Sequence, residues 1–169
     1  SPHLAFAFEP ASRRLLVLAP HLLERRSPTE QECDHLRDLD LALHGFRELR
    51  AGDAGLLALS PGTISDGAPG SLLGHSRVWE SVTPYVVTRH ARAESATEAL
   101  SADVRAECRR LGLAEPTVAP RSVRGVQGTG LTGDLRLTFA QAVPGPLVLG
   151  RTRYFGGGLF LPVQESDQP

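Results

Sequence analysis

Two Ser-x-x-Glu sequences set the limits on what this chain can fold into. Ser27 precedes Glu30 and Ser95 precedes Glu98, and each pair heads a run with helical spacing. In such a box the hydroxyl accepts from the backbone N–H three residues on, and the carboxylate reaches back to the N–H of the cap. Pro28 fits the first helical position, where a missing N–H does no harm. Cys33, Leu36, Leu39, Leu43, Phe46 and Leu49 or Arg50 then share one face of the first helix. Leu100, Val104, Cys108 and Leu111 share one face of the second, and Gly112 is placed to end it in the left-handed conformation.

Strand-like runs flank both helices. His3 to Glu9 alternates, Arg13 to Ala19 follows after the turn Glu9-Pro10-Ala11-Ser12, and Gly55 to Ser60 is a short third strand. Past the second box, Glu115 to Val123, Leu135 to Val143, Val148 to Tyr154 and Leu159 to Val163 read as strands, and residues 124–133, with four Gly, as a loop. Before it, Val78 to Arg89 is strand-like and interrupted by Pro84. Strands, one capped helix and more strands, twice over, predict an α+β fold with antiparallel sheets, not an alternating doubly wound one. Two ferredoxin-like (RRM-like) units in tandem, each a sheet with a packed helix, satisfy that order most economically. The units span residues 1–62 and 77–163, joined by a Gly-, Pro- and Ser-rich linker at 63–76.

With 41% hydrophobic residues the chain can build a real core. Its longest apolar run, Leu15 to Pro20, is far too short to cross a bilayer, and nothing resembles a signal peptide. Cys33 and Cys108 lie within helical patterns and read as reduced core thiols in a cytoplasmic protein; without a CxxC they make no zinc site, and no metal or cofactor is expected. The chain has no Met and runs almost at once into a strand, which points to a fragment or a cleaved fusion. All 18 basic residues are Arg. Residues 1–76 hold 7 Arg against 10 acids, and residues 77–153 hold 11 against 7, so the second half is the cationic one. Arginine suits bidentate phosphate contacts and stacking on bases. A GC-rich coding sequence accounts for Arg over Lys, but not for the asymmetry.

Residues 144–163 read PGPLVLGRTRYFGGGLFLPV. Glycines let backbone amides approach phosphates. Read as a strand, the segment aims Arg151 and Arg153 to one side, and Tyr154 or Phe155 is available to stack on a base. A glycine-rich hairpin with tight turns is the alternative. The stretch resembles the C-terminal glycine-rich loop of the RAMP proteins of CRISPR systems. The block Ser76-Arg77-Val78-Trp79-Glu80-Ser81-Val82-Thr83-Pro84-Tyr85-Val86-Val87-Thr88-Arg89-His90 resembles more narrowly the type I-G (I-U) fusion subunit. That subunit joins a RAMP capping domain to an endoribonuclease domain that processes CRISPR RNA. The likeness extends over Pro2-His3-Leu4-Ala5-Phe6, Arg14 to Pro20 and Glu107 to Pro116.

The resemblance implies a metal-independent endoribonuclease that cuts the repeat of a precursor CRISPR RNA by attack of a 2′-hydroxyl. It would stay bound to the 3′ stem-loop within a type I interference complex (Cascade) of antiviral defence. Its partners would be the repeat RNA, the other subunits and a fused or adjacent capping domain, with no membrane. Such chemistry needs a base, an acid and a group for the developing charge. The candidate catalytic histidines are His3, then His90, then His21, the last in a region where this superfamily often places its catalytic His. The candidate RNA-binding residues are Arg89, Arg92, Arg151, Arg153, Tyr154, Gly156, Gly157 and Gly158. Each has a plainer structural reading, as a packed or surface side chain. The turn Glu9-Pro10-Ala11-Ser12-Arg13 is shorter than the His-rich insert of the family, so a non-catalytic RNA-binding subunit is the alternative.

Overall fold

The computed structural model of the protein describes residues 3–9, 13–62, 72–89 and 95–163. The chain divides into two compact units, residues 1–25 with 65–169, and residues 26–64. The expected first unit of residues 1–62 therefore does not stand together. Its opening 25 residues group with the second half, because β1 (Ala5–Glu9) packs against the 3-10 turn at Arg153–Phe155.

In the larger unit, β1 pairs antiparallel with β2 (Arg14–Leu18), and alternation turns Ala5, Ala7, Leu16 and Leu18 inward. A short helix α1 (Pro20–Leu23) follows and buries Pro20 and Leu23. The main sheet is built from β5 (His75–Ser81), β6 (Tyr85–Val86), β7 (Thr117–Val126), β8 (Gly130–Pro144), β9 (Leu147–Val148) and β10 (Leu159–Pro162). β8 is central. It pairs with β7 along one edge and with β5 and β6 along the other; β10 lies between β5 and β9, and every pairing is antiparallel. β5, helix α3 (Ala96–Arg110) and β7 thus form a crossover with β8 inserted between its two strands.

Half of the α3 box forms: Ser95 accepts from the Glu98 N–H, while the Glu98 carboxylate takes the Ser95 hydroxyl at 3.4 Å. At the other end Gly112 adopts a φ of +73°. The predicted face of Leu100, Val104, Cys108 and Leu111 is buried against Leu135, Leu137 and Phe139 of β8. Trp79 and Tyr85 complete this core, with the Trp79 Nε1 donating to the Ser76 carbonyl. Fully burying such side chains contributes about 1.5–3 kcal/mol each, so this one cluster dominates the unit's stability. Burial also pushes the Cys108 thiol up to about 12, with Glu107 adding to the shift.

Three local expectations are corrected. Residues 124–133 are not a loop: β7 and β8 run through them as a hairpin with its turn at residues 127–129, because Gly is tolerated beside a tight turn. His75, expected in the linker, begins β5 opposite Pro144. The segment 148–154 leaves the sheet after Val148, and Gly150 turns the chain with a φ of +93°.

The smaller unit contains α2 (Glu30–His44), β3 (Glu48–Arg50) and β4 (Leu56–Ala58), the strands forming a hairpin. β1–β2 and β3–β4 are separate two-stranded sheets, not one four-stranded sheet. The α2 cap is Thr29, not Ser27. Thr29 and Glu32 exchange both bonds of the capping box, and Arg26 holds the Glu32 carboxylate at 2.6 Å. The sequence TxxE two residues downstream won because Glu32 has this second partner. Cys33, Leu36, Leu39 and Leu43 form a half-buried stripe, and no residue of α2 is fully buried; Phe46 and Leu49 or Arg50, expected on the same face, lie beyond the helix end at His44, the latter two in β3. Both cysteines are free thiols.

Candidate nucleic-acid interface

The glycine-rich segment is clasped by residues that follow β5. Arg151 N–H donates to the Val86 carbonyl at 3.0 Å, and Gly158 N–H to the Pro84 carbonyl at 3.0 Å. Leu159 N–H donates to Thr83 Oγ1 at 2.9 Å. Gly157 N–H closes on the Thr152 carbonyl at 3.1 Å. The glycines are required by this packing. A Cβ on Gly158 would fall 1.8 Å from the Leu149 carbonyl oxygen, and one on Gly157 1.9 Å from Thr152 Oγ1. Two of the three amides expected to cradle phosphate, those of Gly157 and Gly158, thus bond inside the protein.

Arg151 and Arg153 do not share a strand face. Arg153 lies in the 3-10 turn Arg153–Phe155, and Arg151 lies just before it, exposed and donating to the Thr129 carbonyl. Arg153 points inward. Its Nη2 meets Glu24 at 2.9 Å and its Nη1 meets Glu107 at 3.4 Å. Tyr154 donates its hydroxyl to Glu24 at 2.8 Å, with the Arg153 guanidinium 4.8 Å from its ring centroid. Arg110 closes the cluster, reaching Glu24 at 2.9 Å and Glu107 at 3.1 Å. Burial pushes the Glu24 carboxyl up, but hydrogen bonds from Arg110, Arg153 and Tyr154 outweigh it and hold the pKa at about 2. Two carboxylates and two guanidiniums cancel, so the expected RNA grip of Arg153 and Tyr154 is instead an internal ionic joint between α1, α3 and the glycine-rich turn. Three buried side-chain polar atoms have no hydrogen-bond partner among the described residues, His21 Nδ1, Thr152 Oγ1 and Arg153 Nε, and all sit on α1 or this turn.

The histidines separate. His3 is exposed just ahead of β1, and His21 is half-buried on α1, three residues from Glu24. Arg89 is exposed beyond β6. His90 and Arg92 lie outside the described residues. Among the described residues no group of His, Cys, Asp and Glu is arranged to hold a metal ion.

A cationic surface elsewhere was missed in the sequence. β8 turns Leu135, Leu137 and Phe139 towards α3, so Asp134, Arg136 and Thr138 take the opposite face. There Glu80 of β5 binds Arg136 at 3.1 Å and also Arg121, which a bulge in β7 carries across β8. Arg124 lies 3.7 Å from Asp134. The side chains of Arg121, Arg124 and Arg136 are 56%, 62% and 42% exposed, so these are surface ion pairs of small net worth. Two carboxylates hold three guanidiniums in place on one sheet face and leave a net positive charge. No family model matches the chain. Neither a curated protein nor a solved structure matches it. The only sequence signal for this array was the alternation Leu135-Arg136-Leu137; Arg121 and Arg124 follow no regular spacing because of the bulge.

Proposed function

We propose that this chain is an RNA-binding subunit of a type I CRISPR effector complex that binds repeat RNA and processes its precursor. The arginine array on the sheet face away from α3 carries the reading: Arg121, Arg124 and Arg136 are exposed, spread over neighbouring strands and paired only at the surface, three guanidiniums to two carboxylates. Exchanging a surface carboxylate for a phosphate costs a guanidinium little. The strand order β7-β8-β5-β10, with α3 in the crossover from β5 to β7, supports a ferredoxin-like assignment for residues 75–162. The first half supports a second such unit less well, since its hairpins do not join. In the nuclease reading, His21 is the base that takes the 2′-hydroxyl proton, and Glu24 ties its helix to the glycine-rich turn. The fit of His21 rests on its position beside that joint.

A second reading, binding without cleavage, is favoured by the inward turn of Arg153 and Tyr154, which ties both guanidiniums of the joint, Arg110 and Arg153, to carboxylates. Labelled repeat RNA in EDTA separates the two. Cleavage that survives EDTA, stops with a 2′-deoxy substitution at the cut site and stops in His21→Ala supports the nuclease. Tight binding with no cut product leaves the binding subunit. Replacing Arg121, Arg124 and Arg136 together by Ala should weaken RNA binding and make the fall of log K with log salt shallower by about 2–3, as expected for three lost phosphate contacts. An unchanged slope would remove the array from the interface.

A further inference from the structure

The β1–β2 hairpin is apolar on both faces. Its inner face buries Ala5, Ala7, Leu16 and Leu18, while the outer face presents Phe6 at 48%, Phe8 at 50% and Leu15 at 42% exposure. Register puts Phe8 opposite Leu15 and Phe6 opposite Val17. The 3-10 turn packs on this hairpin, and a Cβ on Gly156 would lie 3.2 Å from the Phe6 carbonyl oxygen. The residue before Gly156 is Phe155, at 87% exposure the most exposed large apolar side chain among the described residues. Two exposed cations are close in sequence to these elements, Arg13 just ahead of β2 and Arg151 two residues before the 3-10 turn. The only acid in the paired strands, Glu9, alternates to the other face, in register with Arg14.

We propose that Phe6, Phe8 and Phe155 form a stacking platform for unpaired nucleotides of the bound RNA, with Arg13 and Arg151 meeting the phosphates. Core packing does not account for side chains left from 48% to 87% exposed. Exposed arginines next to exposed rings, with no acid on the outer face of the described strands, fit a polyanion better than an ordinary protein partner. The geometry selects single strands. Residues two apart on a strand are separated by about 6.7 Å, roughly twice the 3.4 Å rise between bases of a stacked strand. Bases taking one ring each must therefore be unstacked, which a duplex does not allow. The inference rests on the RNA reading above and adds to it where unpaired nucleotides lie.

The test measures single-stranded RNA containing 2-aminopurine, and a blunt duplex of the same sequence, against the wild-type chain, Phe6→Ala/Phe8→Ala, Phe155→Ala and Phe155→Leu. Stacking is expected to change the 2-aminopurine fluorescence with wild type. Each alanine variant should weaken single-strand binding about 5- to 100-fold and leave duplex binding unchanged. Phe155→Leu keeps an apolar side chain without a ring and should behave as Phe155→Ala. Unaltered circular dichroism shows that the variants fold. If wild type binds single strands and all variants bind equally well, the platform is overturned and the RNA reading stands. If wild type binds no RNA, both fall. If Phe155→Leu binds like wild type, or Phe6→Ala/Phe8→Ala turns a dimer into a monomer without affecting RNA, the patch is a protein-docking surface and the platform is overturned.

Discussion

Glu24 receives hydrogen bonds from Arg110, Arg153 and Tyr154, and its side chain retains about 24% of its exposure. Water still screens the joint, so Glu24→Gln should destabilise the protein by only about 1–2 kcal/mol, below the loss from a fully buried pair. The pH dependence has a definite sign. The folded-state pKa is depressed to about 2 from 4.5, so the stabilisation is complete above about pH 4.5 and disappears as the pH falls towards 2. The difference in melting midpoint between wild type and Glu24→Gln should therefore be constant from pH 7 to 5 and shrink as the pH falls through 4 and 3. A difference that holds constant down to pH 2 would mean that Glu24 is not charged in the joint. Nothing in the sequence joins Glu24 to Arg153, 129 residues away. The spacing Arg151-Thr152-Arg153 suggested a shared face because alternation is visible locally, whereas the turn at Gly150 depends on the distant Val86 carbonyl and Tyr85 ring that crowd it.

Elements whose signals are short in range were legible. Ser95 and Glu98 specify the start of α3 through a bond three residues long, and the apolar face of α3 is the buried one. At α2 two boxes overlap, and local chemistry could not choose between them. Thr29→Ala should destabilise α2 by about 1 kcal/mol and speed exchange of its first-turn amides, while Ser27→Ala should do neither. Equal effects would return the cap to Ser27. The hairpin of β7 and β8 was hidden by its glycines, which mark a turn without saying how close the strands come to it. The arginine array was hidden because Arg121 reaches Glu80 over an intervening strand, and only the register brings them together.

At the scale of the whole molecule, the α+β class and the antiparallel pairing were readable from the order of elements, but the grouping of residues into units was not. The hairpin β1–β2 is separated in sequence from the turn it packs on by the entire smaller unit. The two units differ in what they bury. The larger encloses Trp79, Tyr85, Phe139 and Phe160 completely, whereas α2 of the smaller encloses no residue completely. Each carries one cysteine, so thiol labelling in rising urea reports on them separately. Cys33 is expected to label at low urea, ahead of the loss of Trp79 burial, and Cys108 to label together with it. Simultaneous labelling would make the molecule a single cooperative unit. The position of β5 between β8 and β10 has a further consequence during synthesis. Phe160 pairs with Ser81, so one edge of β5 has no partner until the ribosome has released residues 159–162. Such high contact order slows folding and leaves a nascent strand edge open to neighbouring chains, and this protein should depend on chaperones that shield emerging strands.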